Sequence, residues 1–592
     1  MKKITKVIAA ATALSAALGV CAYAAEDTIE DKVIAGYQAW FNTEGDGSPR
    51  NEWVHWGRPE VGHLTFDAYP DVRDYSVEDL KETYFAELGN GEKSKLFSSY
   101  RAGVIDKHFE MMHDYGIDGV AVQRFGSVTI NGVEERFKNS VDILKNVKAS
   151  AEKHNELFYV MYDISGLSEE NLVEDLKADW QQVILNDLDI TSSPSYAKDN
   201  GRPVVCLWGL GIREGTGEQY SELIDWFHDK GCYVIGGVSK SWRDQIAKDE
   251  AMEKAFCKLD MLSPWSVGSA KTDSDVDSDA SILAADKAYL DEKGIAYQPV
   301  MFPGFSWSNW KDNAVRNQIP RRAGDFMWRQ AYNIAKQDIH CGYIAMFDEY
   351  DEGTAILKLA EDSSMIPKDQ YFITASADGS YTSSDLYMRL AGYIPKVLRG
   401  EEEITEEMPL LLSEGPVYFR SGFEKYFDAQ PVDGNGELVK DELTYNGRYA
   451  LKLNRVGGGG EMLTKLSELD FSAEKINIGI SAYLAGGSAE LSVGLETADG
   501  DVLYSDLSFA NGKWTYNTLT DISVAGKNIT GLILKAKGTD DYKIYIDDVI
   551  VTEDASLINS QVNGSKYDLY ARNLYNLGLL DGENADKFVM NL

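Results

Sequence analysis

Eight short β-rich apolar runs, at 33–37, 119–123, 158–162, 204–208, 233–237, 261–265, 297–301 and 343–347, alternate with longer segments of helical period. No G-x-G-x-x-G opens the first crossover. Strand–helix alternation repeated around a chain of this length predicts an α/β fold, a (β/α)8 TIM barrel over 31–400, ahead of a doubly wound open sheet. From 415 to 554 the pattern changes to short alternating strands punctuated by Ala485-Gly486-Gly487, Asp499-Gly500 and Asn511-Gly512. That pattern predicts an all-β sandwich of jelly-roll type, which reads equally as a carbohydrate-binding-module-like unit or a purely structural one.

Lys2, Lys3 and Lys6 precede an apolar run from Val7 to Val20 and the small-residue stretch Ala22-Tyr23-Ala24. This reads as a secretory signal peptide over 1–24, cleaved after Ala24. The run is shorter than the roughly 20 apolar residues a membrane span needs, and no other stretch reaches that length. The expected location is secreted or cell-surface. Between the strands the helices are legible: over 104–115, Ile105, Phe109 and Met112 recur at i, i+4 and i+7, and Gly116 follows. Most strand runs lead into polar, aromatic or glycine residues, which in a barrel fall at the C-terminal mouth where active sites lie.

Residues 401–414, with Glu401, Glu402, Glu403, Glu406 and Glu407, read as an acidic solvated linker. The last segment, 555–592, carries an amphipathic helical pattern from Tyr567 ended by Gly582. It resembles the opening of an S-layer homology module, which implies association with a cell wall; a C-terminal helix packed on the sandwich is the plainer reading.

The chain has 592 residues and a formal charge of -37, with no block of Lys or Arg. Phosphate backbones and anionic lipid surfaces would repel it, so nucleic acid is not an expected partner. After the signal segment Cys206, Cys232, Cys257 and Cys341 remain, too few for a disulfide framework, and three of them sit in or beside predicted strands as small buried hydrophobes. The seven histidines form neither H-x-H nor H-E-x-x-H. No metal or cofactor is expected.

Chemistry is suggested by the end of the eighth run. Asp348, Glu349, Asp351 and Glu352 place four acids within five positions. Hydrolysis of a glycosidic bond needs one carboxylic acid to protonate the leaving oxygen and a second group to stabilise or capture the anomeric centre. Crowded acids in a dry cleft cannot all ionise, which separates an acid from a base. Residues three apart on a continued strand face opposite sides, so Glu349 and Glu352 can serve one site only if the chain turns, and Gly353-Thr354 supplies a turn signal. On an acidic chain the same stretch also reads as a solvated face.

The same residues carry a family resemblance. Residues 347–354 resemble the N-E-W-x-E-G-T stretch of glycoside hydrolase family 99 and the related family 71/99-like proteins, with Asp348 and Tyr350 in place of its Asn and Trp. The resemblance extends through Gly36-Tyr37-Gln38-Ala39-Trp40-Phe41, His55-Trp56, Phe97-Ser98-Ser99-Tyr100, Gly116-Ile117-Asp118-Gly119-Val120, Gln123-Arg124-Phe125 and 384–392. It implies an endo-α-mannosidase-like enzyme that retains configuration through a 1,2-anhydro sugar, with Glu349 deprotonating the substrate 2-hydroxyl and Glu352 as acid and base. It also places Tyr37, Gln38, His55 and Arg124 beside the substrate, with Tyr350 on the stacking wall.

Trp40, Trp56, Trp208, Trp265 and Trp307 offer faces for pyranose rings, or packing at the barrel ends. Asp163 offers a hydrogen bond to a sugar hydroxyl, or a cap to the following turn. Arg321 and Arg322 read as surface. Trp514 and Tyr516 are the sandwich's candidates for sugar contact. The expected function is a glycosidase on α-linked glycans, mannosides first. An α-glucan-cleaving enzyme and a non-catalytic cell-surface carbohydrate-binding protein are the alternatives.

Overall fold

The computed structural model describes residues 28–59, 63–127 and 133–559. The predicted signal segment and residues 560–592, which hold the predicted tail helix, lie outside the described residues. Among the described residues no helix is long and apolar enough to cross a membrane.

Eight parallel strands close into a barrel: β1 (Val33–Tyr37), β2 (Gly119–Phe125), β3 (Leu157–Asp163), β4 (Arg202–Leu210), β5 (Tyr233–Ser239), β6 (Met261–Trp265), β7 in two halves (Ala296–Tyr297 and Val300–Met301), and β8 (Gly342–Ile344). Each pairs with its neighbour in sequence, and β8 returns to β1 with Val33 opposite Gly342. The break in β7 falls at Gln298-Pro299. Proline has no N–H to give the ladder, yet its carbonyl still accepts from Tyr343 N at 2.9 Å, so closure is kept. The first half pairs with β6 and the second with β8.

Strands covered on both faces must be almost continuously apolar, which is why the runs stand out in the sequence. The helix Ala102–Tyr115 buries Ile105, Phe109 and Met112, as its period requires, and stops where Gly116 takes a left-handed φ of 72°. The helix Gly217–Asp229 opens on a reciprocal cap between Thr216 and Gln219. Cys206, Cys232 and Cys341 are buried as free thiols.

Residues 401–414 depart from the solvated linker expected of them. Glu401 to Glu403 are exposed, but Met408 and Leu410 pack on the barrel core. The Thr405 carbonyl accepts from Trp328 Nε1 at 3.1 Å. Apolar residues interleaved with the acids give this segment a face to dock.

The sandwich has two antiparallel sheets. One runs β11 (Gly436–Lys440), β12 (Tyr449–Arg455), β19 (Tyr542–Thr552), β14 (Lys475–Gly486), β17 (Trp514–Ser523), with β9 (Val417–Ser421) also on β19. The other runs β10 (Asp433–Gly434), β13 (Gly460–Ser472), β18 (Asn528–Gly538), β15 (Ala489–Thr497), β16 (Val502–Asp506). Leu451, Leu453, Ile480, Leu491, Leu532 and Ile546 fill the space between them.

Where β1 meets β8, Gly36 has no room for a side chain: an added Cβ would lie 2.2 Å from both Tyr343 Oη and Met346 Cε. Gly36→Ala is expected to cost about 1–3 kcal/mol through overpacking, read as a lower urea midpoint with an unchanged m-value.

Candidate active site

The chain turns sharply after Glu349. Thr354 N and Ala355 N both donate to the Glu349 carbonyl, at 3.0 and 2.8 Å. Gly353 adopts a φ of 63°, a conformation that glycine takes without strain. The Glu349 side chain takes part in the turn: its Oε1 accepts from Asp351 N at 2.9 Å and Glu352 N at 3.3 Å, while Oε2 accepts from Gln38 Nε2 at 3.0 Å. The bend that Glu349 and Glu352 need to face one site is therefore present at the end of the last barrel strand.

Each of the four acids has its own setting. Asp348 is fully buried and accepts from Gln38 N at 2.7 Å and Ala39 N at 2.8 Å, tying the exit of β8 to the exit of β1. Burial pushes its carboxyl up to about 7 against the pull of those donors. Glu349 is raised well above the usual carboxylate range by burial first, then by the charges of Asp351, Glu352 and Asp348. Glu352, half-buried, is pushed to about 6 by burial, and the Lys311 ammonium opposes the rise. Asp351 meets His55 Nδ1 at 2.6 Å. Burial raises that carboxyl and lowers the imidazole to about 3, with Arg50 adding to the imidazole's fall.

A second layer holds the turn from behind. Arg321, expected at the surface, is buried: its Nη2 donates to the carbonyls of Gly353 and Ala355, both at 2.7 Å, and its guanidinium lies 4.7 Å from the Tyr387 ring centre. Asp67 accepts from Ser306 Oγ, Ser308 N and Oγ, and Asn309 N at 2.6–2.8 Å. That fixes the loop carrying Trp307, and Ser306 N in turn donates to the Glu352 carbonyl at 2.8 Å. Asp67, Arg321 and Lys311 were missed as contributors to the site because no motif marks them. The only sequence signal was the dense aromatic and polar run 305–311.

The proposed lining residues divide into two groups. Tyr37, Trp56 and Tyr350 have 0% exposure and belong to the core. Tyr37 Oη pairs with His108 Nδ1 at 2.9 Å, Trp56 Nε1 donates to the Phe97 carbonyl at 2.9 Å, and Tyr350 Oη donates to the Lys358 carbonyl at 3.2 Å. Arg124 is also committed: its guanidinium forks onto Asp179 with two contacts of 2.6 Å, and Tyr162 Oη donates to the same carboxylate. Tyr37, Trp56 and Tyr350 frame the mouth from beneath, whereas Arg124, though held by Asp179, also lines a hollow beside Trp40. Asp163 caps its turn through Ser165 N at 2.7 Å, the structural one of its two readings.

The second group remains at the mouth. Trp40 is half-buried, stacked on His55 with centres 3.6 Å apart and on Phe125 at 5.1 Å. A hollow of about 240 Å³ opens beside it, lined by Gln38, Arg50, His55, Gln123 and Asn139 among others. Gln38 thus connects Glu349 to that hollow. Trp208 and Trp265 meet edge to face at 5.3 Å, and Trp307 packs edge-on against Phe305 at 5.1 Å. Trp265 and Trp307 keep part of their surface open. Among the described residues, Gln38 Oε1, Trp40 Nε1 and Trp208 Nε1 are buried polar atoms with no hydrogen-bond partner.

Gln38→Met removes a donor that favours the ionised Glu349. The expected outcome is a further rise of the Glu349 pKa, since one of the donors to its carboxylate is lost. The check is side-chain carboxyl carbon NMR, with Glu349→Gln used to assign the signal.

No family model matches the chain, and no curated protein matches it. Among solved structures the chain is similar to the GH99 endo-alpha-mannosidase from Bacteroides thetaiotaomicron, at 14% identity over 63% of this chain and 99% of that one, with a TM-score of 0.46. It is also similar to a glycoside hydrolase-like protein, at 14% identity over 57% of this chain and 98% of that one, with a TM-score of 0.37. A shorter match is to the CBM22-1 xylan-binding domain from Paenibacillus barcinonensis, at 18% identity over 23% of this chain and 94% of that one, with a TM-score of 0.19.

Proposed function

We propose that the chain is an exported glycoside hydrolase acting on α-linked glycans, with α-mannosides as the first substrates to examine. The observation that carries the proposal is the turn after β8. It sets Glu349 and Glu352 within reach of each other's charge at the C-terminal mouth of a barrel, both with raised carboxyl pKa values. Their spacing is the one shared with family 99 in the sequence.

In this reading Glu349, steadied by Gln38 and two backbone N–H groups, takes the proton of the sugar 2-hydroxyl. The 2-oxygen attacks the anomeric carbon as the glycosidic bond breaks, forming a 1,2-anhydro sugar. Glu352 gives its proton to the departing oxygen. It then accepts one from the water that opens the epoxide while Glu349 returns its proton to the 2-oxygen, so both carboxyls are reset and the anomeric configuration is retained. Glu352 can start as the acid because it stays protonated up to about pH 6. Trp265 and Trp307 supply ring faces for the pyranoses, while Trp40 is sandwiched between His55 and Phe125.

Incubation with α-mannans and α-glucans, followed by NMR of the first product, tests the proposal. Retention is expected, and an inverted first product would exclude this mechanism. Glu349→Gln and Glu352→Gln are each expected to lower kcat by about 10²–10⁴-fold while glycan binding persists. The wild-type kcat/KM should follow a bell-shaped pH profile. Both carboxyls are raised and Glu349 feels the charge of Glu352, so the two limbs report apparent pKa values of the pair and not of either residue alone. Glu352→Gln should leave a single limb in whatever activity remains.

A further inference from the structure

A groove of about 870 Å³ runs between the barrel and the sandwich, away from the two glutamates. Its volume lies toward the top of the ~300–1,000 Å³ typical of ligand sites. One wall belongs to the barrel: Pro70 and Arg73, then Val77, Asn90 and Lys95, and the loop from Asp362 to Gln370. The other belongs to the sandwich: Arg420, Tyr445, Asn446, Tyr516 and Ile550.

The walls are pinned to each other. Asp428 of the sandwich accepts from Ser363 N at 2.8 Å and Ser363 Oγ at 3.0 Å. Gln430 N donates to the Gly379 carbonyl at 2.8 Å. Tyr381, whose ring packs in the sandwich core, donates to Glu361 at 3.1 Å. A groove held in this way is already formed before a ligand arrives, which lowers the entropy lost on binding.

Its chemistry is that of a neutral, hydroxyl-rich ligand. The charges at its floor are matched internally: Arg73 pairs with Asp71 at 2.6 Å and Glu361 at 2.8 Å, and Arg420 lies 3.8 Å from Asp362 and 4.0 Å from Glu361. Tyr445 and Tyr516 present near-parallel rings, 16° apart in plane with centres 6.3 Å apart, and both are half-buried. Asn90 and Asn446 add amides on opposite walls.

The floor is continuous with the catalytic turn. Ala68 N donates to the Tyr350 carbonyl at 3.1 Å, Asp71 N to the Lys358 carbonyl at 3.0 Å, and Ala360 N to the Tyr69 carbonyl at 2.9 Å. One segment, 67–73, therefore backs the turn at one end and floors the groove at the other.

We infer that this groove is a second carbohydrate-binding site, built jointly by barrel and sandwich, which holds a neutral polysaccharide chain by stacking on Tyr445 and Tyr516 and by hydrogen bonds to the amides of Asn90 and Asn446. The site does not depend on the chemistry at Glu349 and Glu352.

The test is calorimetric titration of the full chain carrying Glu349→Gln with α-mannan, dextran and β-1,4-xylan. At least one polymer is expected to bind. Tyr445→Ala and Tyr516→Ala should each weaken it tenfold or more, with melting temperature as the check on folding. Val77→Trp, which fills the barrel wall from a side chain that is 71% exposed, should weaken it to a similar degree. Loss on the tyrosine variants with full affinity in Val77→Trp would overturn the two-walled site. Unchanged affinity in all three, or no binding of any polymer, would overturn it altogether. Binding is read without turnover, so a failure of the catalytic proposal leaves this result readable.

Discussion

Carboxylates can be gathered in a dry place only if donors meet them there, and the end of β8 is organised around that requirement. Asp348 takes two backbone N–H groups from the exit of β1. Glu349 takes two from its own turn and an amide from Gln38. Asp351 takes the imidazole of His55. Without these donors, burying several acids side by side would be prohibitive. With them the acids remain, but at raised pKa values, and that is the property a proton-transferring site uses.

The turn is also compressed from outside. Arg321 closes on the carbonyls of Gly353 and Ala355, and Asp67 gathers four donors from the loop that reaches the Glu352 backbone. Neither residue touches the acid side chains, yet both fix the backbone that carries them. The orientation of Glu352 is thus a property of three segments distant in sequence: 67, 306–309 and 321.

Barrel and sandwich share more than a boundary. The segment 67–73 backs the turn after Glu349 at one end and floors the groove at the other, where the loop after 361 joins it. A chain bound along the groove would lie against the same backbone that supports Glu349. In this arrangement the appended sandwich supplies a wall, and the docked 401–414 segment, held through Thr405, Met408 and Leu410, joins the two bodies without slack.

The sequence by itself determined the barrel strands, because parallel strands buried on both faces must be apolar throughout, and that signal is local. It also determined the acidic turn, since Glu349, Glu352 and Gly353 are neighbours in the chain. What it could not decide was which polar and aromatic residues near strand ends face a ligand. Tyr37, Trp56 and Tyr350 looked like wall residues and became framework, since their partners His108, Phe97 and Lys358 lie 8 to 71 positions away. Arg321 looked like surface and became a clamp for the same reason. Periodicity and adjacency are written along the chain. The facing of a side chain, and the donor that lets a buried charge exist, are set only when distant segments meet.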